Sequence, residues 1–185
     1  MLQAGKSVLQ TGLANFGAII HPIIFLLNID RIRKCDPFDF YTDGVTPEAE
    51  RILCDADAER MSIAAAYGAP ACTLQEWIEL SYGHRATSLR EALRSNATYA
   101  NIRSPASLAH RYILEDVPTG IVPMVRLGDA AGLKLPVLRG LERAARAVEG
   151  AGTVTVPQGR TLDTLGLDGL SSQRIRRLVG GDSGR

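Results

Sequence analysis

The stretch 15–28 constrains the fold more than any other part of this sequence. Every residue in it is apolar except Asn15, His21 and Asn28, so the stretch is expected to be buried against other elements. A polar group buried without a partner costs about 1–3 kcal/mol, and His21 lies in the middle. His21 is therefore either a structural histidine with a partner, which is the commoner case for a single histidine, or part of a reaction centre.

Pro22 follows His21 directly, and proline disfavours helical geometry at the residue before it. We therefore predict a helix break or kink at His21, which would aim the imidazole out of the packed surface. One helix is predicted over residues 1–13. A second is predicted from Pro22 to about Arg33, because proline is favoured at the first helical position. Residues 35–46 are rich in aromatic and turn residues and predict a loop.

Helix start signals recur along the rest of the chain. Thr46-Pro47-Glu48 combines an N-cap hydroxyl, a proline and a first-turn acid, and predicts a helix that ends at Gly68. Thr73 with Glu76, and Ser88 with Glu91, form capping boxes that open two short helices. Further helices are predicted over residues 104–114, 122–131, 136–149 and 171–179.

Strand signals are scarce, since the one alternating stretch, 153–156, is too short to build a sheet. With about eight predicted helices, the fold class is all-α. No glycine-rich phosphate-binding motif follows a strand, so we expect no nucleotide-binding fingerprint in this sequence. The Gly150-Ala151-Gly152 linker divides a helical domain over residues 1–150 from a C-terminal extension over 151–185. That extension is expected to pack on the same domain.

Composition excludes several classes of function. A net charge of +1 gives no strong attraction to nucleic acid or to an anionic membrane. The stretch 15–28 is too short and interrupted for a membrane span, which needs about 20 apolar residues, and the N-terminus has no signal-peptide pattern. The three cysteines, Cys35, Cys54 and Cys72, lack CxxC spacing. They predict reduced thiols in a cytoplasmic protein and no metal site.

A second unusual stretch, residues 110–123, places charged residues before a proline-rich bend. Arg111 and Glu115 could pair across one helical turn for about 0.3–0.5 kcal/mol, which would make this a solvated charged turn. The functional interpretation is an anion clamp, Arg111, beside a carboxylate, Asp116, that could orient a histidine. His110 would point about 100° away from Arg111 on a helix, so His21 is preferred as the acid/base group.

Four motifs in order join these stretches into one pattern. The motifs are Asn-x5-His-Pro-x5-Asn over residues 15–28, Phe-Tyr-x-x-Gly-x-Thr-Pro over 40–47, Asp-x-Glu-Arg over 57–60 and Arg-Tyr-x-x-Glu-Asp-Val-Pro-x-Gly-x-Val-Pro over 111–123. Together with the tail from Gly159, they resemble the C-terminal helical domain of the octopine/nopaline (opine) dehydrogenases over about residues 8–180. The Asp57-Ala-Glu59-Arg60 segment itself is either a run of surface charges or a structural ion-pair network, and the second interpretation is preferred.

The resemblance implies a fold like the C-terminal helical domain of opine and 6-phosphogluconate dehydrogenases. It implies NAD or NADP as cofactor, bound mainly by a Rossmann domain that this sequence does not contain, with no cofactor-binding residue assigned here. The substrates would be an amino acid and a 2-oxo acid, joined by reductive condensation. Carried over by position, His21 would be the acid/base group, Asp116 its partner and Arg111 the holder of a substrate carboxylate. Asn15 and Asn28 would be substrate contacts or helix caps.

Two kinds of function remain open. In the first, the chain is a substrate domain that is active only with a dinucleotide-binding partner chain. In the second, it is a non-catalytic remnant that forms a homodimer or binds a partner through an apolar face left bare. A helical domain of another two-domain dehydrogenase family is a weaker third reading, because the Arg-Tyr-x-x-Glu-Asp-Val-Pro motif counts against it. The catalytic reading requires His21 to lie near Asp116.

Overall fold

A computed structural model describes residues 5–83, 85–150 and 155–179, and within these ranges the chain is helical and has no strand. A single antiparallel bridge between Asp39 and Arg103 joins two loops. The predicted all-α class is confirmed. The helices are α1 (Val8–Leu13), α2 (Gly17–Leu27), α3 (Ile29–Arg33), α4 (Pro47–Tyr67), α5 (Leu74–Tyr82), α6 (Leu89–Arg94), α7 (Arg111–Leu114), α8 (Val122–Ala130), α9 (Pro136–Gly150) and α10 (Ser172–Val179), with a 3-10 turn at Ala97–Tyr99 and a π-helical turn at Val117–Ile121.

The predicted break at His21 is wrong, because α2 continues through Pro22 to Leu27. Proline removes one backbone donor, so residue 22 cannot donate to the Ala18 carbonyl. Pro22 and six other residues of α2 are nevertheless buried against neighbouring elements, and this packing keeps the helix continuous. The chain turns instead at residues 14–16, before α2, and at Asn28, between α2 and α3.

The segment Val8–Leu27 has a mean hydropathy of 1.4 and could cross a membrane by length and composition alone. In this fold 56% of it is buried, and the core helix of a globular domain has the same composition. The expectation that the chain does not span a membrane therefore stays a prediction.

Most helix start signals act as predicted. The Thr46 hydroxyl accepts from the Ala49 N–H at 3.2 Å, and the capping box at Thr73 is present. The prediction of a helix that starts at Ser104 is wrong, because residues 104–110 are not helical and α7 begins at Arg111. Ser104 instead exchanges two hydrogen bonds with the backbone of Phe38, at 2.8 and 3.2 Å, and so joins two loops. Its capping group is thereby used elsewhere, and His110 caps α7.

Helix α2 lies at the centre of the fold, where it contacts α4, α7, α9 and the π-helical turn. Ile19, Ile23, Ile24 and Phe25 are fully buried, which accounts for the apolar composition of the stretch.

The C-terminal extension packs on the same core. Val156 and Ile175 are buried within it, and the Arg160 N–H donates to the Pro118 carbonyl at 2.8 Å. Most of the predicted linker and of the alternating stretch lies outside the described residues, since 151–154 are not among them. Thr155 and Val156 are in neither helix nor strand.

The predicted ion-pair network around Asp57 and Arg60 is confirmed. The buried Arg60 guanidinium donates to Asp57 Oδ1 at 2.8 Å, and to the carbonyls of Leu13 at 2.9 Å and Cys72 at 2.5 Å. Arg60 therefore joins α4 to the end of α1 and to the loop before α5. Glu59 accepts from two backbone N–H groups at the start of α9, at 2.8 and 2.9 Å.

We predict that Arg60→Met destabilises the fold by about 3–5 kcal/mol, because it leaves the Asp57 carboxylate buried without its partner. Urea unfolding of the variant measures this loss. Arg103→Ala is the matched control, since Arg103 pairs with Asp39 at 2.9 Å but its side chain is 68% exposed. The control should lose less than about 1 kcal/mol. Equal losses in the two variants would contradict the structural role of Arg60.

Candidate active site

His21 and Asp116 are hydrogen bonded across the contact between α2 and the turn after α7. His21 Nδ1 lies 2.8 Å from Asp116 Oδ2, and the two side chains are 19% and 8% exposed. The predicted proximity of the two residues is confirmed, although the predicted kink does not produce it. A partly exposed imidazole hydrogen bonded to a mostly buried carboxylate is an arrangement typical of proton-transfer sites.

Two glycines allow this close approach. A Cβ on Gly120, in the π-helical turn, would lie 2.3 Å from the Ala18 Cβ on α2, which real atoms do not tolerate. A Cβ on Gly17 would lie 3.0 Å from His21 Cε1. Glycine at both positions therefore lets the turn reach α2 and leaves room for the imidazole. The π-helical turn begins directly after Asp116, and such turns are frequent at functional sites.

The second ring nitrogen of His21 also has a partner, which the sequence reasoning missed. His21 Nε2 lies 2.9 Å from the hydroxyl oxygen of Tyr41, in the loop predicted over residues 35–46. Tyr41 is buried, and burial raises its pKa well above the usual range, with Tyr112, Tyr82 and Asp116 adding to the rise. The hydroxyl therefore stays protonated at neutral pH. The signal that could have found it is the Phe40-Tyr41 pair within the motif over residues 40–47.

Aromatic rings surround the imidazole. The Tyr112 ring stacks on His21 with centroids 4.2 Å apart and planes at 22°, and the Phe40 ring contacts Tyr112 at 4.8 Å. His110 meets the Tyr112 ring edge-on at 4.3 Å and caps α7 through Nδ1. Burial lowers the pKa of His110, and the neighbouring Arg111 and His21 lower it further. His110 therefore acts as a structural cap in this fold.

Arg111 does not contact the His21–Asp116 pair. Its guanidinium pairs with Glu115 at 3.4 Å, and the two side chains are 62% and 56% exposed. The fold therefore shows the first interpretation of this spacing, an exposed charged pair across one helical turn. Arg111 precedes Tyr112 in the chain, and the Tyr112 ring stacks on His21. The role of Arg111 as a carboxylate holder stays a prediction.

The two asparagines have different surroundings. Asn28 is buried, and its Nδ2 donates to the carbonyls of Ile24 at 2.9 Å and Gly44 at 3.0 Å. The geometry favours its cap role over a substrate contact. Asn15 is exposed and is not the N-cap of α2, which is Phe16. Its side chain flanks Gly17 on the approach to His21, since a Cβ on Gly17 would lie 3.6 Å from Asn15 Oδ1. Asn15 therefore remains a candidate substrate contact.

Within the described residues, no group of three His, Cys, Asp or Glu side chains is placed to hold a metal ion. Nor do those residues include a strand followed by a glycine-rich loop and a helix, the arrangement that cradles a dinucleotide pyrophosphate. The residues that the fold brings together at this site are His21, Asp116 and Tyr41, which are joined by hydrogen bonds.

Solved structures share this fold. An octopine dehydrogenase in complex with NADH and agmatine matches with a TM-score of 0.72 at 19% identity, over 96% of this chain and 50% of that one. A structure of octopine dehydrogenase with NADH and L-arginine matches with a TM-score of 0.68, also at 19% identity, over 91% of this chain and 48% of that one.

Relatives found by sequence have higher identities to this chain than these structures do. An opine dehydrogenase of Arthrobacter sp. (strain 1C) is 37% identical over 177 residues, which cover 95% of this chain and 48% of the relative. The vitopine synthase of Allorhizobium ampelinum is 29% identical, over 98% of this chain and 50% of the relative. The chain thus spans about half the length of these relatives.

The family described as NAD/NADP octopine/nopaline dehydrogenase, alpha-helical domain, matches residues 4–148. That match covers most of the chain and includes every candidate site residue. The chain therefore belongs to the octopine/nopaline dehydrogenase family, in which it corresponds to the α-helical domain.

Proposed function

We propose that this chain is the substrate-binding and catalytic helical domain of an NAD(P)H-dependent opine dehydrogenase. The reaction would be the reductive condensation of an amino acid with a 2-oxo acid. The observation that carries the proposal is the His21–Asp116 hydrogen bond at a partly exposed position, because this reaction needs a group that moves protons near neutral pH. The family and the relatives' names support the same reaction.

The chemistry divides into a condensation and a reduction. The amine nitrogen attacks the keto carbon, and loss of water leaves an imine. Addition of a hydride and a proton then gives an N-(carboxyalkyl)amino acid. The reduced nicotinamide, when bound, supplies the hydride. His21 would give a proton to the departing oxygen as the imine forms. Asp116 would orient the ring through Nδ1 and stabilise the imidazolium.

Substrate binding would use the exposed groups at the edge of the site. Both substrates carry a carboxylate, and a guanidinium binds a carboxylate through two parallel hydrogen bonds. Arg111 is the exposed guanidinium next to the Tyr112 ring, and its exposed bond to Glu115 at 3.4 Å is weak enough to exchange for a substrate. Asn15 would add an amide contact beside Gly17. The octopine dehydrogenase structures with L-arginine and with pyruvate support this substrate class.

The dinucleotide would be held mainly by a separate Rossmann domain. Two observations support this: the described residues contain no pyrophosphate cradle, and the relatives are about twice as long as this chain. A partner chain or a fused domain would serve equally, since either would bring the reduced nicotinamide to the site.

The unpaired state of Cys35, Cys54 and Cys72 supports a cytoplasmic location.

A second candidate function is partner binding without catalysis, including homodimer formation. An apolar groove of about 260 Å³ lies between α1, α8 and the C-terminal extension. At its edge Val8 is 71% exposed and Leu165 is 45% exposed. Exposed apolar surface of this kind favours association.

The catalytic proposal predicts that His21→Ala abolishes most turnover. The chain would be mixed with a candidate dinucleotide-binding domain, NADH or NADPH, a 2-oxo acid and an amino acid, and consumption of reduced cofactor followed by absorbance. We expect kcat/KM to fall by about 10²–10⁴-fold, the range that general acid–base catalysis contributes. His110→Asn is the control, because asparagine keeps a helix-capping side chain, and its rate should stay close to wild type. An unchanged rate in His21→Ala would contradict the acid/base role.

The assignment of Arg111 predicts an effect on binding. Arg111→Ala should raise KM for a carboxylate substrate by about 10–100-fold, since a hydrogen bond to a charged group contributes about 1.5–3 kcal/mol, and kcat should change less. Glu115→Gln removes the other half of the exposed pair and serves as control. If both variants have the same KM as wild type, Arg111 is a surface residue and the carboxylate is held elsewhere.

The partner-binding alternative predicts a change of assembly. Leu165→Asp introduces a charge into the groove, so a dimer that buries this groove should dissociate. Sedimentation velocity at several concentrations measures the assembly state of wild type and variant. Leu80→Asp is the control, because Leu80 is 79% exposed and is not among the groove residues. A wild-type chain that stays monomeric alone and with the dinucleotide-binding domain would remove the support for this alternative.

A further inference from the structure

Both ring nitrogens of His21 are engaged in the same structure. Nδ1 is 2.8 Å from Asp116 Oδ2, and Nε2 is 2.9 Å from the Tyr41 hydroxyl oxygen. An ionised carboxylate only accepts hydrogen bonds, so Nδ1 must carry a proton and donate it. In the neutral imidazole Nε2 is then an acceptor, and the Tyr41 O–H donates to it.

We propose that Tyr41 is a positioning residue for His21. Its hydroxyl fixes the orientation of the imidazole and, with Asp116, holds the neutral ring in the Nδ1–H tautomer. Protonation of the ring to the imidazolium then adds the second proton at Nε2. The tautomer stands on the geometry alone, whereas its consequence for catalysis rests on the proposed function.

The position of the Tyr41 hydroxyl is fixed by its surroundings. The Tyr41 ring stacks on Tyr99 at 4.4 Å and meets Phe40 edge-on at 5.2 Å. The Phe40 N–H donates to the Ile102 carbonyl at 2.7 Å, and the Asn28 side chain holds the Gly44 carbonyl further along the same loop. The loop is thus anchored on both sides of the ring. A hydroxyl held in this way gives direction to a partner without loss of further conformational freedom.

A hydroxyl suits this position because it serves both protonation states of the imidazole. It donates to Nε2 of the neutral ring and, after rotation about the C–O bond, accepts from Nε2–H of the imidazolium. A tyrosinate would only accept, and burial keeps Tyr41 in the neutral form by raising its pKa. The stacked Tyr112 ring limits tilt of the imidazole but supplies no direction within the ring plane. That direction comes from Asp116 at one nitrogen and Tyr41 at the other.

Nitrogen-15 NMR of the histidine-labelled chain tests the tautomer directly. In the wild-type protein with the neutral His21 ring, Nδ1 should have the shift of a protonated nitrogen, and Nε2 that of an unprotonated nitrogen that accepts a hydrogen bond. Tyr41→Phe should leave Nδ1 protonated and move the Nε2 signal toward that of an acceptor without this bond.

Tyr99→Phe is the matched control. It removes a buried tyrosine hydroxyl from the same aromatic stack, but that hydroxyl bonds to Tyr82 and not to His21. The Nε2 signal of His21 should therefore stay at its wild-type position. A proton on Nε2 in the neutral wild-type ring would overturn the proposal without any variant, as would equal shifts in the two variants.

Kinetics in the assembled enzyme give the second readout. Loss of one hydrogen bond that orients the imidazole should lower kcat by about tenfold with little change in KM, and Tyr99→Phe should leave both near wild type. An unchanged kcat in Tyr41→Phe would overturn the positioning role. If the NMR shifts follow the expectation and no assembled enzyme turns over, the tautomer assignment stands and the proposed function fails.

Discussion

The contact between α2 and the π-helical turn sets the geometry of the whole candidate site. It depends on the absence of a side chain at Gly120, because any Cβ there would overlap Ala18. The contact holds Asp116 at hydrogen-bond distance from His21, and the apolar face of α2 fixes the rest of the helix in the core. A steric condition at one backbone position therefore decides whether His21 and Asp116 can form their hydrogen bond.

Helix start signals in the sequence predicted the fold well where the signal residues form their hydrogen bonds locally, at the start of the helix. The N-cap at Thr46 and the capping box at Thr73 begin helices as expected, because their hydrogen bonds are made within four residues. The signal at Ser104 failed because its hydroxyl is used by Phe38, a partner 66 residues away. Pro22 likewise looked like a break, but α2 continues through it because Pro22 and its buried neighbours pack against other elements of the fold. Tertiary contacts decided both cases, and no local pattern contains them.

The candidate site was predictable only in part for the same reason. The motif spacing brought His21 and Asp116 into one hypothesis, and their 2.8 Å contact agrees with it. Tyr41 was missed because an aromatic residue in a loop has no periodicity that marks its orientation. Arg111 was assigned from its charge and from its place in the motif, and its exposed pair with Glu115 shows that neither fixes the direction of the side chain. Buried polar partners become visible only when the three-dimensional packing is known.

The hydrogen bond from Arg160 to the Pro118 carbonyl has a consequence for the order in which the site forms. Pro118 belongs to the π-helical turn that follows Asp116, so the C-terminal extension is hydrogen bonded to that turn. During synthesis the chain emerges from the N-terminus, and His21 leaves the ribosome well over a hundred residues before Arg160. The turn that follows Asp116 therefore gains this hydrogen bond only after residue 160 has been synthesised.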